Sequence, residues 1–497
     1  KRDNPGGTEG NLNGALAELI VYDAALDDAA RSQVEQALCA RYGVVPYEAE
    51  TLVVTRVIPG DHAVTVDWLA PDLPAIEAYV VEVKLRYAPW EEAVATRVPS
   101  GDTSTTCGGL MNHADYAVRV AAVDAAGARL ASSGPRLMSP AEAPGVTIDY
   151  IHQDESHFLS KGVYVGSPSI ARLPDGRFVA SHDLFGCGSY DFSRVFRSAD
   201  GGATWQHVAD VEQAFWGTLF VHRGTLYLIA CSERFGDIVL HASKDGGETW
   251  QRPAVLASGE YHKAPVPVTH HDGRLWCCVE LHDCPGWSAV ALSVPEDADL
   301  MAPANWTVSA PLGYSAEWQP EGWNPQHAHI SEGNAVVDPA GNLLDILRYN
   351  PPPHSGKAVV LDIAPDGRTL QFSHLMELNG SLTKFTIRRH PDTGVYWALV
   401  NRVPEPRDGL WAVRNILTLV RSDDLEEWTP VYDVLRDDRK TAPQYTGFQY
   451  IDWLFDGDDI VFVSRTAYNG AHTFHDANHL TFHRIEGFAT LPHRVGP

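Results

Sequence analysis

Several things are scarce in this 497-residue chain. Basic residues are few: 38 Lys and Arg stand against 64 Asp and Glu, a formal charge of −26. That balance argues against nucleic acid or an anionic membrane as a partner, since both require a basic surface. The seven cysteines (Cys39, Cys107, Cys187, Cys231, Cys277, Cys278, Cys284) are an odd number without a CxxC pair. No zinc ribbon is expected, and buried free thiols are expected ahead of a Cys278–Cys284 bridge. No run of about 18 apolar residues occurs, so no helical membrane span is expected. No signal-like stretch opens the chain at Lys1. Glycine, proline and tryptophan are plentiful instead, at 41, 33 and 14 residues. They suit a globular, β-rich, many-turned protein whose length points to about two to four domains.

The organising stretch is Ser198-Ala-Asp-Gly-Gly-Ala-Thr-Trp205, which returns as Ser243-Lys-Asp-Gly-Gly-Glu-Thr-Trp250. A shorter copy without glycine is Ser422-Asp-Asp-Leu-Glu-Glu-Trp428, and Ser293 to Trp306 is a more decayed one. Physically this is a hairpin turn in which Asp bonds backbone amides, Gly supplies positive φ and Trp packs beneath. A second repeat places a short apolar strand after each of Gly176, Gly224, Gly273, Gly341, Gly394 and Gly457. Units of a few short strands recurring every roughly 50 to 70 residues predict the blades of a β-propeller, here six of four strands.

Ahead of the repeats, Leu52–Thr55, Ala63–Trp68, Tyr79–Val83 and Tyr116–Ala122 alternate as strands of a small sandwich. Ala17–Tyr22 is strand-like, and Asp27-Asp28 caps a helix with Ala30, Val34, Leu38 and Tyr42 at helical spacing.

The repeated turns, the six units and the Tyr450-Ile-Asp-Trp453 segment resemble the sialidase superfamily of Asp-box propellers, over about Gly145 to Phe488. Trp68 on the second strand, with Leu110 six residues before Tyr116, resembles a fibronectin type III domain with its tyrosine corner. The first segment resembles the closing strand and helix of a laminin-G/concanavalin-like jelly roll. The expected class is therefore all-β: a jelly-roll tail at 1–46, a fibronectin type III-like sandwich at 47–142 and a six-bladed propeller at 145–490.

The resemblance implies a site at one mouth of the ring. Glu332 and Arg348 match the family's Glu and second arginine of a triad, Arg414 its third, Tyr450 its nucleophile and Asp191 its acid/base. A phenol needs an adjacent base to attack a sugar carbon, and a guanidinium fork suits a carboxylate. His182 and Asp183 compete with Asp191, while Trp216, Lys384, Arg465, His475 and Asp476 complete the expected substrate contacts. Arg194 is a further cation in reach, and Trp287, Trp318 and Trp323 are further stacking candidates. The first-blade position of the family's first arginine reads Val165-Gly-Ser-Pro-Ser-Ile170 instead. The implied activity is thus exo-hydrolysis of a terminal acidic sugar from a glycan, without sialic acid itself being implied.

Two other readings stay open. His472, His475, Asp476, Asn478, His479, His327 and His329 are dense enough for sugar binding, proton transfer or a metal, or are simply polar turn residues. A lyase on a uronate-containing glycan would use His182, His475 or Tyr450 as base, and a non-catalytic propeller would only bind. No cofactor and no metal ligand is assigned. The architecture places the expected protein in a secreted or periplasmic setting.

Overall fold

The computed structural model describes residues 52–155, 163–185, 191–325, 327–352, 354, 356–404 and 413–496, together with Val34. The strand and helix expected within 1–46 otherwise lie outside the described residues.

Strands Val53–Gly60, Ala63–Leu69 and Ser104–Gly108 form one antiparallel sheet. A second sheet facing it holds Val94–Pro99, Ala78–Leu85, Tyr116–Val123, Arg129–Ser132 and Arg136–Met138. Alternation builds the core between them, because Val64, Val66 and Trp68 turn inward while Thr65 and Asp67 do not. Trp68 meets Tyr79 edge-on at 5.2 Å. The hydroxyl of Tyr116 accepts a hydrogen bond from the Met111 amide at 3.0 Å.

From Tyr164 onward the described residues form six antiparallel sheets in succession. Their innermost strands are Ser169–Arg172, Phe215–His222, Thr269–His271, His329–Val337, Thr386–Arg389 and Gly447–Asp456. Each of the six glycines picked out by the sequence lies in the hairpin after one of these strands, at φ between 65° and 91°. The second repeat therefore marks one hairpin, copied once per sheet. The first repeat caps the outer strands. In two copies Ser accepts from the second glycine's amide, Asp accepts from the Thr amide and hydroxyl, and Trp Nε1 donates to that glycine's carbonyl at 3.0 Å. The copy without glycine keeps the pattern, with Leu425 itself at φ 72° and Trp428 donating to its carbonyl.

Hydrogen bonds join each sheet to the next. Leu219 N–H donates to Ser169 Oγ, Thr218 Oγ1 to the Ala264 carbonyl, and Gly333 N–H to Glu280 Oε1. Ile387 N–H donates to Asn334 Oδ1, Thr386 Oγ1 to the Ile451 carbonyl, and Ser169 Oγ to Asp452 Oδ2. The path returns to its start, so the sheets form a closed ring of the β-propeller kind. Strand Val146–Tyr150, which precedes the first sheet in sequence, completes the sixth sheet by pairing with His479–Ile485.

Arginines clamp the sandwich to the ring. Arg194 donates to the Thr55 carbonyl at 2.7 Å and to Asp149 at 2.6 Å, and Arg56 donates to the Trp205 carbonyl. The described cysteines, Cys107, Cys231, Cys277, Cys278 and Cys284, are free thiols. No helix of the described residues is long and apolar enough to cross a membrane.

The repeated turn yields a stability prediction. A Cβ at Gly201 meets nothing within 4 Å, whereas one at Gly202 falls 2.1 Å from the Phe482 ring, and both residues have positive φ. Gly201→Ala should therefore cost about 1 kcal/mol from backbone strain, and Gly202→Ala more than about 3 kcal/mol from strain plus overpacking. Denaturant unfolding of the two variants against the parent checks the difference.

Candidate active site

Three of the six inner strands carry the same irregularity. Register slips between Phe215 and Thr218, Ser331 and Asn334, and Gln449 and Asp452. At each slip a residue other than glycine takes positive φ: Trp216 at 56°, Glu332 at 62° and Tyr450 at 55°. Such a bulge re-aims one side chain, and strained backbone of this kind concentrates at functional sites. The three bulges belong to the second, fourth and sixth sheets.

Two of the re-aimed side chains meet. Tyr450 Oη donates to Glu332 Oε1 at 2.8 Å, and Arg348 Nη1 bonds both oxygens of Glu332 at 3.2 Å. The guanidinium carbons of Arg414 and Arg465 lie 5.7 and 5.0 Å from the centre of the Tyr450 ring. Burial tends to raise the Glu332 carboxyl, but Arg348, His262 and the Tyr450 hydroxyl outweigh it and hold it below its ordinary value. Burial and Glu332 raise the Tyr450 phenol, so at neutral pH the pair is a neutral phenol on an ionised carboxylate. Burial lowers Arg414 to about 10. Arg348, Arg414 and Arg465 each hold a buried Nε–H without a hydrogen-bond partner among the described residues. Unpaired buried donors are costly, and an anionic ligand would satisfy them.

Arg465 approaches the segment Val165–Ile170 from the sixth sheet. It comes from the second strand of the sixth sheet and lies over Tyr164, beside that segment, at 5.3 Å and over Phe185 at 5.2 Å. It also donates to the His475 carbonyl at 2.6 Å, and His475 Nδ1 bonds Asp476 at 2.9 Å. Burial and Arg465 lower His475 to about 4, so it is neutral at pH 7.

On the other side the wall is aromatic. His262 lies 4.5 Å from Trp216 and 4.8 Å from Trp287, and Trp287 lies 5.2 Å from His329. Burial and Arg348 lower His329 to about 4.

Other expected site residues fall elsewhere. His182 is a correction: its ring is fully buried, stacked on Phe196 and bonded to Asp149 Oδ2 at 2.9 Å, away from Tyr450. Strand alternation explains this, since His182 and Asp183 face opposite sides of one strand. Asp183 accepts from the amides of Ser167 and Trp216, so it positions the Trp216 bulge from beneath. Lys384 lies under the Tyr450 bulge, donating to Thr386 Oγ1 and the Ile451 carbonyl, and burial lowers it to about 7. Arg194 belongs to the clamp on the sandwich. Trp318 stacks on Phe372 and Trp323 on His354. Asp191 stands at the start of strand Phe192–Ser198 with its carboxyl raised by burial. Among the described residues it neither hydrogen-bonds nor ion-pairs with Glu332, Tyr450 or the arginines. Of the histidine cluster, His475 alone reaches Arg465; His479 packs on Tyr150 and His472 lies 3.4 Å from Asp154.

Sequence reasoning missed His262 and Glu280. The available signal was the one carboxylate in the apolar run Trp276-Cys-Cys-Val-Glu-Leu281. Among the described residues no group of three His, Cys, Asp or Glu converges to hold a metal.

No family model matches the chain, and no curated protein matches it. Among solved structures, the Penicillium chrysogenum alpha-L-arabinanase complexed with arabinobiose is similar over 71% of this chain and 100% of its own, at 15% identity and TM-score 0.46. A Hadza microbial sialidase is similar over 90% and 96%, at 14% identity and TM-score 0.47. A Trypanosoma rangeli sialidase is similar over 64% and 53%, at 16% identity and TM-score 0.44.

The Glu332–Arg348 pair has a testable sign. Glu332 is depressed in the folded protein, so its contribution is present above the ordinary value of 4.5 and disappears as pH falls through the folded value. Arg348→Met should destabilise by about 3–5 kcal/mol at pH 7, where the carboxylate is left buried without its paired cation. The deficit should shrink near pH 4 as Glu332 protonates. Unfolding curves at the two pH values measure it.

Proposed function

We propose that the chain is a glycoside hydrolase that cleaves a terminal acidic sugar from a glycan, on a six-bladed propeller preceded by a fibronectin type III-like sandwich at 47–142. One observation carries the reading: a phenol hydrogen-bonded to a buried carboxylate, with three guanidiniums gathered around the pair.

Tyr450 is the nucleophile. Its proton passes to Glu332 along the 2.8 Å hydrogen bond as the oxygen attacks the anomeric carbon. Arg348 keeps Glu332 ionised and so ready to accept that proton. A phenol suits an acidic sugar because, unlike a carboxylate nucleophile, it is neutral when the anionic substrate approaches. Arg348, Arg414 and Arg465 hold the substrate carboxylate, with Arg465 supplying the third fork. Trp216 and Trp287 form the wall against which the sugar ring packs, and His475 with Asp476 bounds the opposite side. Cleavage of external glycans places the protein outside the cytoplasm.

A panel of aryl glycosides of neutral and acidic sugars, and of acidic polysaccharides, tests the reading. The wild type should release aglycone from an acidic glycoside, and Glu332→Gln and Tyr450→Phe should each lower kcat/KM by about a thousandfold with the fold intact by circular dichroism. Full activity in both variants refutes the site. A product absorbing at about 235 nm shows a lyase instead, since hydrolysis forms no conjugated double bond.

A further inference from the structure

We propose that His262, held by Glu280, gives a proton to the departing glycosidic oxygen and later takes one from the attacking water. The inference rests on the hydrolase reading of Tyr450 and Glu332, and its rival is Asp191, the acid/base that the sialidase resemblance implies.

Geometry supports the assignment in three ways. His262 Nδ1 bonds Glu280 Oε2 at 2.8 Å, while Nε2 makes no hydrogen bond among the described residues. A ring nitrogen oriented by a buried carboxylate, with the other nitrogen free, is the base-and-orienter arrangement of acid–base catalysis. The second oxygen of Glu280 accepts the Gly333 amide at 2.9 Å. Gly333 follows Glu332 in the bulge, so one carboxylate fixes both the imidazole and the turn that aims Glu332. The imidazole is wedged between Trp216 and Trp287, the wall against which a sugar bound at Tyr450 would pack.

Several ionisable groups surround it. Glu280 lies on the neighbouring strand, and Glu332 and His329 come from the fourth sheet. Adjacent Lys263 turns its ammonium away, to Thr218 Oγ1 at 2.5 Å and the Ala264 carbonyl at 3.1 Å. Glu280 has no other cation bonded to it among the described residues, so its Oε2 is committed to the imidazole.

The steps balance. In the first, the Tyr450 oxygen bonds the anomeric carbon as its proton passes to Glu332, the glycosidic bond breaks, and the departing oxygen takes the proton of His262. In the second, water bonds the anomeric carbon and gives a proton to His262, the bond to Tyr450 breaks, and the phenol recovers its proton from Glu332. The sum is one glycoside and one water converted to two hydroxyl compounds.

The test compares 4-nitrophenyl and methyl glycosides of the sugar that the wild type hydrolyses. His262→Asn should lose about 100- to 10,000-fold in kcat/KM on the methyl glycoside, which requires a proton, and under tenfold on the 4-nitrophenyl glycoside. It should also lose the alkaline limb of the kcat/KM profile. Glu280→Gln, a positioning variant, should move that limb to lower pH. Equal loss on both glycosides, or an unchanged pH profile, overturns the inference. So does the same leaving-group pattern appearing in Asp191→Asn and not in His262→Asn, while Glu332→Gln and Tyr450→Phe stay inactive and the hydrolase reading stands. If the wild type releases no aglycone from any glycoside, the hydrolase reading fails and this inference fails with it. Should His262→Asn be poorly folded, His262→Gln and Glu280→Gln supply the same comparison.

Discussion

The carboxylate of Asp452 holds the ring together at the point where the site is built. It accepts from Ser169 Oγ at 2.7 Å and the Ile170 amide at 3.0 Å in the first sheet, and from Arg388 of the fifth at 3.2 Å. It thereby joins three sheets from a position two residues beyond Tyr450. A ring of sheets has little reason to keep an irregular inner strand unless its neighbours over-determine it. Asp452 does this for the Tyr450 bulge, Glu280 for the Glu332 bulge and Asp183 for the Trp216 bulge. In each case a buried carboxylate accepts backbone amides across a sheet boundary, and strained backbone is stable only where such support exists.

Charge is distributed with equal economy. The whole chain carries −26, yet the cluster at Tyr450 gathers three arginines against one carboxylate. A locally positive cluster in a protein of net negative charge favours small anions over large anionic polymers. The two sides of the cluster differ in kind: guanidiniums, phenol and carboxylate come from the fourth to sixth sheets, and tryptophans and an imidazole from the second and third.

The repeats were legible because each is a local device. Asp200 bonds Ser198 and Thr204, and Gly202 bonds Ser198 and Trp205, all within a single turn, and Gly176 or Gly457 sets one hairpin, so residue type and spacing suffice to find them. Glu332, Arg348, Arg414 and Tyr450 were legible through a resemblance in order and spacing, and they do converge. His182 was misplaced because its neighbour Asp183 turns toward the second sheet and strand alternation then sends the imidazole the other way. His262 was invisible, since neither a repeat nor the resemblance touches it and its partner Glu280 is 18 residues away.

From the order of residues alone follow the β-rich class, the copied hairpins, the net negative charge and the presence of a phenol, a carboxylate and arginines within the repeated units. These depend on contacts between residues near in sequence, or on composition. Which side chains share the cluster was decided by ring closure. Tyr450 and Glu332 are separated by 118 residues and touch because inner strands of different sheets meet at one axis. Arg465 lies over Tyr164, next to Val165, because the sixth sheet closes against the first, a proximity that no local spacing encodes.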